Sequence, residues 1–136
     1  MQNVQKNVQH CYLLDTHVLI WLLTQPERLS NRAKEAILAR DSSLYFSMVS
    51  LWEMAIKISL GKLELMPGWQ DVFKAELQAN HIYPVAIDWE AVQLIQSLPF
   101  HHRDPFDRML IAQALSQGFG FISADQHSQA YLPVLW

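Results

Sequence analysis

The apolar residues of this chain switch repeatedly between short continuous runs and longer runs at helical spacing. The short runs are typical of buried strands, and residues 12–15 form the first of them, ahead of a helix predicted over residues 16–24. Pro26 excludes a longer helix. Repeated alternation of strand and helix predicts an α/β fold with a mainly parallel central sheet flanked by helices. Ligands of such folds bind beside the carboxyl ends of the strands.

The same alternation continues to the end of the chain, and helix-capping residues mark where the helices begin and end. Ser30 and Asp88 suit N-caps, Gly61 and Gly118 suit the position after a helix, and Pro99 must follow one. The further predicted helices span residues 30–40, 50–60, 69–80, 88–97 and 105–117, and the further predicted strands span 44–47, 82–87, 119–123 and 134–136.

Composition limits the kind of protein further. A chain of 136 residues predicts one domain over residues 1–136, and 51% hydrophobic against 17% charged residues can bury a core. Residues 1–11 form a polar extension, and the nearby apolar run of residues 18–23 is too short to cross a membrane or to serve as a secretory signal. The single cysteine, Cys11, excludes an internal disulfide. We therefore expect a soluble, cytoplasmic protein with no membrane partner.

Four acidic residues lie where an apolar run meets a turn or a helix start: Asp15, Glu53, Asp107 and Asp125. Each also has a local structural explanation, as a helix cap, as a capping box between Ser50 and Glu53, or as an Asx-turn at Asp125. One shared site explains all four together, because two strand ends and two helix starts would open toward the same crevice. Clustered carboxylate oxygens repel one another and select a hard cation such as Mg²⁺ or Mn²⁺. A carboxylate metal cage indicates phosphate chemistry.

Other polar residues have simpler interpretations. His101 and His102 are adjacent and cannot bind one metal from a helix face as an i, i+4 pair does, so a solvated loop is predicted, with phosphate contact as the alternative. Lys57 follows Glu53 at the spacing of an ordinary helical ion pair, and Arg103 and Arg108 flank the acids and could neutralise a phosphate. The chain lacks a Walker-type glycine loop, a dinucleotide fingerprint and a nucleophile elbow, which disfavours nucleotide cofactors and serine hydrolase chemistry.

Four segments together resemble one protein family. They read LLDTHVLIW at residues 13–21, SMVSLWE at 47–53, HRDPFDRMLIAQA at 102–114 and ISAD at 122–125. With these segments the sequence resembles the PIN-domain ribonucleases, and among them the VapC-type toxins of bacterial toxin–antitoxin pairs. The similarity runs over residues 13–136 and implies a PIN-like three-layer fold.

The resemblance also implies roles for individual acids. Asp15 and Asp107 match the principal metal-binding acids, Glu53 the helix acid and Asp125 the fourth acid, with Asp104 as an additional nearby carboxylate. The implied activity is that of a Mg²⁺- or Mn²⁺-dependent endoribonuclease, which cleaves RNA with a metal-activated water and leaves 5′-phosphate and 3′-hydroxyl ends. Two alternatives stay open: a non-catalytic binding module with the same fold, and a metal-dependent phosphohydrolase of small phosphate esters.

Two predicted helices are more apolar than a surface helix with one buried face requires. Residues 18–23 are apolar throughout, and only three of residues 51–60 are polar. Surplus apolar surface indicates either deep burial or an interaction site. The resemblance implies an interaction site, because VapC-type toxins dimerise and are inhibited by an antitoxin segment that lies along such helices. We expect a homodimer, and an antitoxin groove lined by Trp21, Trp52 and Trp69.

Overall fold

The computed structural model describes residues 10–136, and every helix and strand predicted above is present, with ends that differ from the predicted ones by two residues at most. The strands are β1 (His10–Leu14), β2 (Ser42–Ser47), β3 (Tyr83–Val85), β4 (Gly120–Ile122) and β5 (Val134–Leu135). The α-helices are α1 (Thr16–Thr24), α2 (Asn31–Leu38), α3 (Met48–Ser59), α4 (Trp69–Ala79), α5 (Trp89–Ser97) and α6 (Pro105–Gln117). Two short 3-10 helices, Pro26–Arg28 and Gln126–Ala130, have no counterpart among the predicted elements.

A five-stranded parallel sheet forms the middle layer, in the order β3-β2-β1-β4-β5. The central strand, β1, pairs with β2 on one side and with β4 on the other. Successive side chains of a strand point to opposite faces of the sheet, so Leu13 and Leu14, both fully buried, enter different cores. The predicted α/β fold with a parallel sheet is confirmed.

Helices cover both faces of this sheet and complete the two cores. On the face of Leu14, α1 contributes Val18, α2 Ala33, α3 Met54 and α4 Phe73. On the face of Leu13, the buried partners include Leu98 at the end of α5 and Leu110, Ile111 and Ala114 of α6. The packing of both layers fixes the strand ends and the start of α6, where the predicted site residues lie.

The start of α3 differs from the capping-box prediction. Ser47, the last residue of β2, is the N-cap, because its backbone is extended and its Oγ accepts a hydrogen bond from the Val49 N–H at 3.0 Å. Ser50 lies inside the helix, fully buried, and its hydroxyl lies 2.8 Å from the Thr16 hydroxyl of α1. The capping box between Ser50 and Glu53 is therefore wrong, and Glu53 is free of that local role.

The amino-terminal part of the chain differs slightly from the prediction. Strand β1 begins at His10, so His10 and Cys11 belong to the sheet, and the rest of the predicted polar extension, residues 1–9, lies outside the described residues. Within residues 10–136, none of the helices combines the length and apolar character needed to cross a membrane.

Candidate active site

Three of the predicted acids meet at the carboxyl edge of the sheet. Asp15 follows β1, Asp125 lies three residues beyond β4, and Asp107 sits in the first turn of α6. β1 and β4 are neighbouring parallel strands, so their carboxyl ends lie side by side. All three carboxylates line one open cavity of about 500 Å³. Chain segments far apart in sequence therefore supply a single acidic cavity, as the shared-site interpretation requires.

Asp15 is held in a fixed orientation by its neighbours. Its side chain is 4% exposed, and its Oδ2 accepts a hydrogen bond from the Ser123 hydroxyl at 2.5 Å. Its Oδ1 accepts from the His17 N–H at 3.1 Å and so caps α1. Burial raises the pKa of the Asp15 carboxyl, and these hydrogen bonds oppose that rise. Asp15 can therefore cap α1 and also belong to the site, because Oδ1 makes the capping hydrogen bond and Oδ2 makes the bond to Ser123.

Ser123 connects two of the acids and was not among the predicted site residues. Its Oγ donates to Asp15 and also accepts a hydrogen bond from the Asp125 N–H at 2.9 Å. The serine is almost fully buried just beyond β4. Its place two residues before Asp125, in the ISAD segment, is the sequence signal that could have identified it.

Asp107 carries the clearest electrostatic sign of crowding. The pKa of its carboxyl is raised to about 7, first by burial and then by the negative charges of Asp15, Asp104 and Glu53, against a smaller lowering by His102. A carboxyl whose pKa is raised by burial and by neighbouring negative charges is one whose ionised form a bound cation would stabilise. Perturbed carboxyls of this kind are concentrated at functional sites.

Glu53 lies at the border of the acidic cavity. It lines the adjoining cavity of about 540 Å³ and is 2% exposed. Its Oε2 accepts a hydrogen bond from the Lys57 ammonium at 2.6 Å, so the predicted i, i+4 ion pair is present, and that hydrogen bond raises the pKa of Lys57. Its Oε1 is buried without a hydrogen-bond partner among the described residues. A buried carboxylate oxygen without a partner is costly and calls for a water or a cation.

The polar loop before α6 differs from the solvated loop that was predicted. His102 is largely buried, and its Nε2 lies 2.5 Å from Asp125 Oδ2 and 3.1 Å from Asp107 Oδ2. The prediction was wrong for His102 because it considered only metal binding by two adjacent histidines and not contact of one histidine with the acids. A single imidazole can reach acids from two other segments. His101 remains exposed, as predicted.

Two further residues near α6 have structural roles. Asp104 is the N-cap of α6, and its Oδ1 accepts from the N–H groups of Phe106 at 2.8 Å and of Asp107 at 3.2 Å. Arg108 is 5% exposed and donates to the carbonyl groups of Pro99 at 2.8 Å and Leu98 at 3.0 Å. The prediction that Arg108 could neutralise a phosphate is therefore wrong, since its guanidinium is buried among backbone carbonyls.

The donor set of the cavity fits a hard divalent cation. One atom each of His102, Asp107 and Asp125 lie within 4.8 Å of one another, and the two aspartates share their cavity with Asp15. The raised pKa of Asp107 is a feature that a cation bound in this cavity would relieve. Carboxylate oxygens are the ligands preferred by Mg²⁺ and Mn²⁺.

One wall of the acidic cavity is aromatic and basic. It is formed by His17, Trp21 and Arg28, which line both the acidic cavity and the adjoining one. The Arg28 guanidinium lies over the Trp21 ring at 4.4 Å from its centroid, and the His17 ring centroid is 5.8 Å from that of Trp21. A polyanionic ligand could therefore pass the acids along a surface that offers a cation and a stacking platform.

The three tryptophans assigned to an antitoxin groove do not share one groove. Trp52 and Trp69 line a mainly apolar groove of about 840 Å³ between α3, α4 and β3, whereas Trp21 lines the acidic and adjoining cavities. The prediction of a single groove for all three is wrong, because α1 lies beside the sheet edge that bears the acids. Any role of Trp52 and Trp69 in partner binding stays a prediction.

The sequence is similar to that of known proteins over most of its length. A family model described as "PIN domain" matches residues 12–131. Ribonuclease VapC22 of Mycobacterium tuberculosis is 29% identical over 122 residues, which make up 88% of this chain and 90% of that protein.

Solved structures of complexes share the fold. VapBC2 from Rickettsia felis, bound to a DNA fragment from its promoter, superposes with a TM-score of 0.69 at 11% identity, covering 91% of this chain and 96% of that chain. VapBC-5 from Mycobacterium tuberculosis, a member of the VapBC family of toxin-antitoxin systems, gives a TM-score of 0.56 at 17% identity, with coverages of 91% and 96%. At identities this low, the structural similarity establishes the fold.

Proposed function

We propose that this chain, which belongs to the PIN-domain family, is a divalent-metal-dependent endoribonuclease and the toxin of a toxin–antitoxin pair. Membership of the family confirms the resemblance inferred from the four sequence segments. One observation carries the proposal for the active site: Asp15, Asp107 and Asp125, from three separate segments, line one cavity. The similarity to ribonuclease VapC22 supports RNA as the substrate.

The acids would hold a Mg²⁺ or Mn²⁺ ion, with Asp15, Asp107 and Asp125 as ligands and Glu53 at the border of the site. When bound, such an ion lowers the pKa of a coordinated water and offsets the charge that develops on a phosphodiester. Neighbouring groups of the chain would orient the ligand Asp15. The Ser123 hydroxyl and the His17 N–H fix the two oxygens of Asp15.

The attacking water needs an acceptor, and Glu53 offers one. Its Oε1 has no hydrogen-bond partner among the described residues, whereas its Oε2 is held by Lys57. Oε1 is buried in this geometry, so a water or ion that entered against it would supply its missing partner, and Glu53 would then orient that water for attack on phosphorus. Attack by water on phosphorus with departure of the 3′-oxygen would leave a 5′-phosphate and a 3′-hydroxyl, whereas attack by the RNA 2′-hydroxyl expels the 5′-oxygen.

The test of this function is cleavage of bulk RNA by the purified protein with Mg²⁺, with Mn²⁺ and with a chelator. We expect cleavage with either metal, none with the chelator, and 5′-phosphate ends on the products. Cleavage of small phosphate diesters at the same efficiency would favour the phosphohydrolase instead. Metal binding without cleavage of either substrate would favour a non-catalytic module.

The aromatic and basic wall predicts which residues bind the RNA strand. Bases of a single strand stack on aromatic rings, and the backbone follows positive charge. In the Asp107→Asn background, which prevents cleavage, we expect Arg28→Ala to weaken RNA binding by roughly 5-fold. Loss of one phosphate contact should also reduce the slope of log K against log salt by about 0.7 for single-stranded RNA. Fluorescence anisotropy at several salt concentrations measures both effects.

The matched control for this prediction is Arg32→Ala. Arg32 is an exposed arginine at the start of α2 that lines neither of the two cavities beside the acids. We expect its affinity and salt slope to equal those of the parent protein. If Arg28→Ala and Arg32→Ala behaved alike, the wall formed by His17, Trp21 and Arg28 would not be the path of the RNA.

The proposed antitoxin site is the groove that Trp52 and Trp69 line. Trp52 is 59% exposed although it packs edge-on against Phe106 at a centroid distance of 5.2 Å. Phe46, Phe73 and other apolar side chains form the floor of the groove. An amphipathic or extended antitoxin segment fits such a surface. The similarity of the fold to VapBC complexes supports this partner, and we propose a homodimer for the toxin itself.

Trp52 is the expected anchor of that interface. Truncation of a central aromatic anchor costs about 2 kcal/mol or more, so Trp52→Ala should weaken antitoxin binding by roughly 30-fold or more. The antitoxin is the small DNA-binding protein expected from the adjacent gene, and isothermal titration calorimetry measures its affinity. Trp89→Ala is the control, since Trp89 is 91% exposed and lies on α5 outside the groove.

Circular dichroism establishes that both tryptophan variants are folded before their affinities are compared. Equal affinities of wild type and a folded Trp52→Ala variant would remove Trp52 from the antitoxin interface. Sedimentation of the wild type at micromolar concentration tests the homodimer separately, and a strictly monomeric species would exclude it.

A further inference from the structure

We propose that His102 is a positioning residue, whose Nε2–H holds the carboxylates of Asp107 and Asp125 at the spacing that a metal ion requires. This inference rests on the proposed metal-dependent function, because it assigns a role toward the same ion. It is carried by three contacts of one imidazole and by the hydrogen bonds that fix the loop on which it stands.

The hydrogen bonds of the ring assign its tautomer. Nδ1 of His102 accepts a hydrogen bond from the Asp104 N–H at 3.2 Å. A ring nitrogen that accepts a hydrogen bond carries no proton, so in the neutral imidazole the proton is on Nε2. Nε2 lies 2.5 Å from Asp125 Oδ2 and 3.1 Å from Asp107 Oδ2. The ring therefore faces both acids with a hydrogen-bond donor.

A proton on Nε2 favours a positioning role for His102 over direct binding of the metal. An imidazole binds a metal through a nitrogen lone pair, so ligation by Nε2 would require its proton to move to Nδ1. A proton on Nδ1 would face the Asp104 N–H and break the bond that holds the ring. Hydrogen bonds that orient metal-ligating groups normally change metal affinity by about 10- to 100-fold when they are removed.

The loop that carries His102 is fastened by hydrogen bonds with Tyr131 and Arg108. The His102 N–H donates to the Tyr131 hydroxyl at 2.8 Å, and the His102 carbonyl accepts from the Arg108 guanidinium at 3.2 Å. Tyr131 donates in turn to the Pro99 carbonyl at 2.5 Å, which Arg108 also reaches.

A buried guanidinium in that network is unusual. Arg108 forms no ion pair with an acid among the described residues. Buried charge is costly unless it is fully hydrogen-bonded, and here the bonds go to the carbonyls of the loop before α6. Loops are ordinarily the mobile parts of a structure. Fastening this one in place gives the imidazole a fixed position over the two carboxylates.

Three substitutions at His102 test the role. The side-chain amide nitrogen of Gln reaches about where Nε2 lies, whereas that of Asn reaches only to about Nδ1. The measured quantities are the dissociation constants of Mn²⁺ and, by competition, of Mg²⁺, without RNA. We expect His102→Ala and His102→Asn to weaken both metals by about 10- to 100-fold. We expect His102→Gln to restore most of the affinity.

Several results would overturn the inference. Wild-type affinity for both metals in a folded His102→Ala variant would leave His102 without a role. If Gln were as weak as Ala and Mn²⁺ binding suffered far more than Mg²⁺ binding, the imidazole would be a metal ligand, because nitrogen ligands favour Mn²⁺ over Mg²⁺. His101→Ala, at the exposed neighbouring position, is the control and should bind both metals normally.

The same titration distinguishes failure of this inference from failure of the proposed function. If the wild-type protein bound neither Mn²⁺ nor Mg²⁺, the metal-dependent function would be excluded, and the positioning role with it. If the wild type bound metal and cleaved RNA while all His102 variants did the same, only the positioning role would be excluded.

Discussion

Asp107→Asn is expected to abolish RNA cleavage and, at the same time, to raise the thermal stability of the metal-free protein above pH 7. The loss of a metal-binding charge should reduce the cleavage rate by roughly 10³-fold, which corresponds to about 4 kcal/mol of transition-state stabilisation. The gain in stability has the opposite origin, because the same charge is unfavourable in the metal-free fold. Both effects come from one substitution that hardly changes the size of the side chain.

The pH dependence of that gain follows from the raised pKa of Asp107. The carboxyl has an ordinary pKa of 3.8 and a folded pKa of about 7. Between these values the folded state keeps a proton that the unfolded chain has lost, so the free energy of unfolding falls as the pH rises from about 4 to about 7 and then levels off. The penalty above pH 7 is on the order of a few kcal/mol at most. Asn has no ionisable proton and stays uncharged at every pH tested, so the variant escapes this penalty.

Melting temperatures at pH 5, 6, 7 and 8 in a chelator measure this difference. We expect the wild-type and Asp107→Asn curves to separate as the pH rises, with the variant more stable at pH 8. Asp88→Asn is the control, since Asp88 also lies at a helix start, as the N-cap of α5, but outside the acidic cavity. Parallel curves for wild type and Asp107→Asn, or retained cleavage in the variant, would contradict the assignment.

Addition of Mn²⁺ should stabilise the wild-type protein strongly and leave Asp15→Asn nearly unchanged. An ion that binds only the folded state at about 100 times its dissociation constant adds roughly 2.7 kcal/mol to the free energy of unfolding. Because metal ligands must be ionised, the effect should also weaken below pH 7, where Asp107 takes up a proton. Thermal denaturation with and without Mn²⁺ at pH 6 and pH 8 measures both parts.

The Asp88→Asn variant serves again as the control for Mn²⁺. It should show the full wild-type stabilisation, because its carboxylate lies away from the site. An equal Mn²⁺ effect in wild type and Asp15→Asn would mean that Asp15 is a helix cap and nothing more. An equal effect at pH 6 and pH 8 would mean that Asp107 does not have to ionise for the metal to bind.

The sequence predicted the sheet and the acids at its edge because both depend on local signals. Short apolar runs ended at Asp15 and shortly before Asp125, and parallel strands place their carboxyl ends side by side. The start of α6 was marked by Asp104 and a following proline, which placed Asp107 in the first turn. Local signals do not separate a capping role from a site role for Asp15, whereas in the structure its Oδ1 caps α1 and its Oδ2 accepts from Ser123.

The parts that could not be predicted depend on contacts between distant segments. The imidazole of His102 reaches the acids only because Arg108 and Tyr131 fasten its loop, and Tyr131 is 29 residues away. Likewise, local capping rules favoured Ser50 as the N-cap of α3, and only the position of β2 makes Ser47 the actual cap. The spacing of apolar residues within a helix does not predict which groove its tryptophans line, because that depends on how the neighbouring helices pack.

Binding of Mn²⁺ itself tests the central claim, that carboxylates from three separate segments form one metal site. Electron paramagnetic resonance detects free Mn²⁺ directly, so the bound fraction can be measured without RNA or enzymatic activity. We predict that the wild type and Asp88→Asn bind Mn²⁺ with equal affinity, and that Asp15→Asn, Asp107→Asn and Asp125→Asn each bind it at least roughly 10-fold more weakly. Wild-type affinity in all three site variants would show that these aspartates do not share a metal ion.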